Sequence, residues 1–103
     1  MKITFLRTGG FAGLRLALEL DTNAMNDGEA SELTELVQGC RFYHLPARIG
    51  SAAAGRDRFQ YRLRVATSAA REHEILVDED STPVELMPLL THLTDLALKQ
   101  ARE

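Results

Sequence analysis

From Leu14 to Leu20 apolar and polar residues alternate without a break. Leu14, Leu16, Leu18 and Leu20 fall on one side, and Arg15, Ala17 and Glu19 on the other. A strict period of two marks a strand with one buried face, even though leucine alone has only modest strand preference. Lys2 to Arg7 alternates in the same way, with Ile3 and Phe5 on one face, so the two runs are expected to pair as an antiparallel hairpin. Between them lies Thr8-Gly9-Gly10-Phe11-Ala12-Gly13, which sets a large aromatic side chain among glycines at the tip. Two readings of Phe11 follow: a lid folded back over the end of the sheet, or an apolar group offered to a partner.

The period changes after Asn26. Ala30, Leu33, Leu36 and Val37 share one helical stripe in the segment from Asp27 to Val37. Asn26 or Asp27 is placed to cap its first turn, Glu29 complements the positive end of the helix dipole, and Gly39 stands where a left-handed residue would end it. Cys40, just beyond, reads as a small buried hydrophobe and not as a nucleophile. Arg41 to Arg58 is irregular and reads as one long connection, with Phe42 and Tyr43 anchoring its first part to the core. Gly50 to Gly55 forms a surface excursion within it.

Alternation returns at Phe59, with Phe59, Tyr61, Leu63 and Val65 inward and Gln60, Arg62 and Arg64 outward. After a polar turn over Thr67–Arg71, a partner strand from Glu72 to Asp78 points Ile75 and Val77 inward and brings Glu72 and Glu74 across from Arg62 and Arg64. Ser81 or Thr82 then caps a last helix, with Pro83 in its first turn and Glu85 completing a capping box. Leu86, Leu89, Leu90, Leu93, Leu96 and Ala97 form its apolar stripe, and Pro88 is tolerated because it lies near the start. The order ββαββα predicts a single α+β domain over residues 1–103, an antiparallel four-stranded sheet packed against two helices.

At 103 residues the chain is long enough to bury roughly two-thirds of its unfolded surface around one core. Fifteen acidic residues against 12 basic ones leave a net charge of −3, which argues against a nucleic-acid surface. Cys40 is the only cysteine, so no internal disulfide forms, which suits a cytoplasmic location. The N-terminus alternates where a signal peptide would run apolar, and no stretch approaches the ~20 apolar residues of a membrane helix; no membrane partner is expected.

No catalytic constellation emerges. His44, His73 and His92 lack the spacing of a metal site, and Asp78-Glu79-Asp80 lacks the spaced ligands and glycine of a calcium loop. The glycines around Phe11 precede a strand and not a helix, so no helix dipole points at an anion there. Ser31 in a helix, and Ser51 and Ser68 in loops, have no nucleophile motif around them. No cofactor or metal is expected, and the leucine stripes suffice to fill the space a small-ligand carrier would keep open. The features left to explain are the glycine-flanked Phe11 and the long connection.

Gly9-Gly10-Phe11-Ala12-Gly13-Leu14, the helix ending before Phe42, Leu45-Pro46, Asp57-Arg58-Phe59-Gln60-Tyr61 and a leucine-rich helix after Pro83 together resemble the emfourin family of protealysin inhibitors. The resemblance covers nearly the whole chain. It implies a small bacterial non-enzyme that inhibits thermolysin-like zinc metalloproteases of the M4 family. Such proteases hold a deep hydrophobic pocket for Leu or Phe next to the catalytic zinc. On that footing Phe11 is expected to fill the pocket, with Gly9, Gly10, Ala12 and Gly13 shaping the backbone that lies along the cleft and Asp57 and Arg58 making a second contact. The alternative is a non-enzymatic interaction or regulatory module whose partner is not a protease.

Overall fold

The computed structural model describes residues 1–10, 15–50, 58–68 and 70–102. Strand β1 (Lys2–Gly9) pairs antiparallel with β2 (Leu16–Asp21), Phe5 facing Leu18 and Ile3 facing Leu20. On its other side β1 pairs antiparallel with β4 (Phe59–Ser68), where Phe5 meets Leu63 and Ile3 meets Val65. β5 (Arg71–Asp78) follows antiparallel, setting Leu63 beside Ile75. The alternation legible in the chain thus becomes one apolar sheet face.

The sheet departs from the expected four antiparallel strands. A fifth strand, β3 (Arg48–Ile49), runs parallel to β5 at the edge, and the order is β2-β1-β4-β5-β3. Two residues are too few to show a period, so this strand was hidden within the Arg41–Arg58 connection. It is recruited from outside itself: the Leu76 N–H donates to the Ala47 carbonyl at 2.8 Å, and the Arg48 guanidinium lies 3.5 Å from the buried carboxylate of Asp78. The first part of the same connection is anchored as expected, with Phe42 buried and Tyr43 half-buried in a single 3₁₀ turn, Phe42–His44. Positions 51–57, which include most of the Gly50–Gly55 excursion, lie outside the described residues.

Helix α1 (Asp27–Gly39) begins at Asn26, whose Oδ1 accepts the Glu29 N–H at 2.8 Å. Leu33 and Val37 are buried along its stripe. Gly39 does not take the left-handed conformation; Arg41 does, at φ 52°. The reason lies in Cys40, which stands seven residues after Leu33 and three after Val37 and is buried beside them only if the helix continues past Gly39. The reversal is therefore postponed by two residues.

Helix α2 (Met87–Ala101) starts later than the capping signals suggest. Thr82 Oγ1 donates back to the Asp78 carbonyl, and no side chain caps the helix at Leu86. Pro88, lacking an N–H, occupies the second helical position, where none is needed, and Pro83 instead accepts the Leu86 N–H in the preceding turn. The apolar stripe is placed as expected: Leu86, Leu89, Leu90, Leu93 and Ala97 are buried and Leu96 is half-buried. Both helices cover the face carrying Ile3, Phe5, Leu18, Leu63, Val65, Ile75 and Val77, and α2 lies against β2 and α1.

The second hairpin is tighter than Thr67–Arg71, since β4 runs through Ser68 and β5 begins at Arg71. Arg64 stands opposite Glu74 but bonds diagonally to Glu72 at 2.6 Å, while Arg62 stands opposite Leu76. The Arg64–Glu72 pair is exposed on both sides and adds only a few tenths of a kcal/mol.

Cys40 carries a prediction. Burial pushes its thiol above the ordinary range, against a smaller opposing effect from backbone hydrogen bonds, and its Sγ donates to the Val37 carbonyl at 3.3 Å. Because the unfolded thiol ionises first, stability is expected to decline as pH rises past the ordinary cysteine range. Thiol labelling at pH 8 should be slow in the native protein and fast in denaturant; equal rates would show that Cys40 is open to solvent.

Candidate functional site

One end of the sheet gathers the chemistry that the sequence left unassigned. β1 ends with Gly9 and Gly10 in left-handed conformations, φ 86° and 79°. The Gly10 N–H donates to the Arg58 carbonyl at 3.0 Å, which carries the β1–β4 register one pair beyond Gly9 and Phe59. Both glycines are required by contact as well as by conformation. A Cβ on Gly9 would stand 2.5 Å from the Arg58 carbonyl oxygen, and one on Gly10 would run into the Phe59 ring.

The acidic run Asp78-Glu79-Asp80 completes this end from the other side. Gln60 stands opposite Asp78, and extending that register brings Phe59 to Glu79 and Arg58 to Asp80. Each acid is used. Asp78, 2% exposed, accepts from Gln60 Nε2 at 3.1 Å; Glu79 Oε1 accepts the Phe59 N–H at 3.0 Å; Asp80 pairs with Arg58 at 3.3 Å. The last pair is exposed and contributes little stability, so it orients Arg58 more than it holds the sheet. Gly50, at the end of β3, lies against the Asp78 carboxylate.

Arg7 sits on the helix-bearing face beneath these residues, its guanidinium 4.1 Å from the centre of the Phe59 ring. Its Nε is buried and has no hydrogen-bond partner among the described residues. Stacking on the ring stands in for part of that bonding. Burial raises the neighbouring Tyr61 phenol above its ordinary pKa, the Glu79 charge adds to the rise, and Arg7 opposes it.

The arrangement holds and presents backbone. No group of His, Cys, Asp and Glu among the described residues is placed to hold a metal ion. His73 Nε2 lies 2.6 Å from the Leu45 carbonyl, His92 lies 3.7 Å from a Glu32 carboxylate oxygen, and His44 is exposed, each in a different part of the fold. No described helix is long and apolar enough to cross a membrane.

Of the residues the sequence nominates, Gly9, Gly10 and Arg58 are brought into direct contact although about 50 positions apart in the chain. Phe11, Ala12, Gly13 and Asp57 lie outside the described residues. Their neighbours Gly10, Arg15, Gly50 and Arg58 are described. Gly10 and Gly50 both abut the Arg58-to-Gln60 and Asp78 end of the sheet. Sequence reading missed Arg7, Gln60 and the three acids as supports of this end. The signal was present: the acids Asp78, Glu79 and Asp80 run off the end of β5 in the register that returns them to Gln60, Phe59 and Arg58 in an antiparallel pair.

Residues 5–94 match the Emfourin family model, a span that runs from within β1 into α2 and contains the whole of this sheet end. The chain belongs to the Emfourin family. A solved structure described as Emfourin (M4in) from Serratia proteamaculans, M4 family peptidase inhibitor, is similar at 21% sequence identity, covering 85% of this chain and 83% of that chain with a TM-score of 0.46. No curated protein matches the chain.

Proposed function

We propose that this emfourin-family protein is a proteinaceous inhibitor of thermolysin-like M4 zinc metalloproteases, and that it covers the active-site cleft with the sheet end formed by Gly9, Gly10 and Arg58. Family membership over residues 5–94 carries the reading of the activity. The hydrogen bond between Gly10, which precedes Phe11 in the chain, and Arg58, which follows Asp57, supports the reading of the surface. A surface built on paired strands loses little freedom on docking, which favours tight binding by a small inhibitor. In this reading Phe11 enters the apolar pocket beside the protease zinc, and Arg58 and Asp57 contact the rim. The site of action is the cytoplasm, in keeping with a lone, buried cysteine.

The experiment is titration of a thermolysin-like protease with the intact protein and with Phe11→Ala, each checked by circular dichroism. The variant is expected to keep its spectrum and to inhibit roughly 100-fold less well, the scale of a central interface aromatic. Unchanged inhibition by a folded variant would move the contact to the 41–58 segment or to the opposite face of the sheet. A variant that unfolds would identify Phe11 as a lid over its own core.

A further inference from the structure

The two edges of the sheet are finished differently. β3 is two residues long, and its Arg48 is tied to Asp78. β2 spans six residues and has no lysine, proline or bulge to keep the edge from pairing, and its two charges, Glu19 and Asp21, alternate with the leucines on the face away from the helices. Its hydrogen-bonding pattern can be read from both sides of β1. The Thr22 N–H donates to the Met1 carbonyl at 2.9 Å, so Met1 and Thr22 are a hydrogen-bonded pair. By alternation Leu16, Leu18 and Leu20 direct their backbone groups to β1, while Ala17, Glu19 and Asp21 direct theirs outward. The Gly10-to-Arg58 bond agrees, since it assigns the even-numbered residues of β1 to β4 and leaves the odd-numbered ones for β2.

We propose that β2 is a self-association edge, on which a second copy of this chain adds its own β2 antiparallel across a two-fold axis at Leu18. The sequence of the strand selects that register. With Leu18 opposite the partner's Leu18, the outward-pointing residues pair as Ala17 with the partner's Glu19, and as Arg15 with the partner's Asp21. Opposite charges then close each end, and no like charges face each other. Sliding the pair by two residues one way sets Glu19 against the partner's Glu19. Sliding it the other way shortens the overlap and leaves Asp21 facing outside the strand. On the helix-bearing face the same register places Leu16 against the partner's Leu20, and both are only half-buried in one copy. Because the strands are antiparallel, the two Gly10 ends point in opposite directions, and each remains open. The dimer is therefore bivalent for whatever that end binds, and the inference stands whether or not the partner is a protease.

The test uses the full chain. Sedimentation equilibrium should show the mass rising toward twice that of one chain as concentration increases. Ala17→Pro removes an outward N–H that β1 does not use, so this variant should stay monomeric with an unchanged circular dichroism spectrum. Register is read independently by mixing Ala17→Cys with Glu19→Cys under oxidised glutathione. Opposed residues in such a pair stand about 5.5 Å apart at Cα, within disulfide reach, and the native Cys40 is buried. The mixed disulfide is expected to exceed either homodisulfide several-fold. Three results would overturn the proposal: a mass that stays at one chain with no cross-link in the mixture, a folded Ala17→Pro that still dimerises, or a Glu19→Cys homodisulfide that dominates.

Discussion

Gly9→Val is expected to disrupt the Gly10–Arg58 end of the sheet and to abolish inhibition of a thermolysin-like protease. Gly9 has φ 86°, a conformation that a β-branched residue adopts only under strain, and its added Cβ would meet the Arg58 carbonyl oxygen at 2.5 Å. That oxygen belongs to backbone and already accepts from Gly10, so it cannot move aside as a side chain would. Backbone strain and overpacking each cost about 1–3 kcal/mol. The effect should be local, because the buried cluster of Ile3, Phe5 and Leu63 begins further down β1 and β4. Urea denaturation should therefore show a destabilised but cooperative protein, while titration shows no inhibition. Full inhibition by Gly9→Val would remove this end of the sheet from the contact.

Phe5→Ala is expected to lower stability by about 3–5 kcal/mol, the usual cost of emptying a buried phenylalanine site. Phe5 is 1% exposed and lies between Leu18 on β2 and Leu63 on β4, with its ring centre 6.1 Å from that of Tyr61. Backbone pairing on both sides holds β1 in place, so the structure has little freedom to collapse into the vacated volume. Domains of this size commonly have about 5–15 kcal/mol in total, so the variant should be close to unfolding at physiological temperature. Thermal denaturation checks this. A loss below about 1 kcal/mol would mean that the core has room to repack.

The contrast between these two positions shows what could be read along the chain. Phe5 announces itself by alternation with Ile3, and the same holds for Leu18, Leu63, Val65, Ile75 and Val77, all of them buried. Leu33 and Val37 in α1, and Leu89, Leu93 and Ala97 in α2, announce themselves by helical spacing. Period is a local property, so it survives in one dimension. β3 was not legible, because two residues carry no period and their partners on β5, Leu76 and Val77, each lie 28 positions further along the chain. The left-handed residue fell at Arg41 and not at Gly39, because burial of Cys40 outweighed the local preference of glycine. The start of α2 was displaced past Ser81 and Thr82, because Thr82 turns back to Asp78 and Pro88 sets the first turn.

The sequence nominated Gly9, Gly10 and Arg58 as parts of two separate features, a glycine tip and the end of a long connection. Their identity as one surface follows from pairing: β1 and β4 are adjacent in the sheet, and the register places Gly10 against Arg58. The acidic run at the end of β5 likewise matched no calcium loop in the sequence, and its carboxylates instead close the start of β4. From the chain alone came the α+β class, both described helices, four of the five described strands and the inward set of side chains, since each rests on spacing between near neighbours. The tertiary structure alone decided which loop ends meet, how the acids are partnered and where the edges of the sheet lie. Those depend on contacts between residues far apart in the chain, and no local pattern records them.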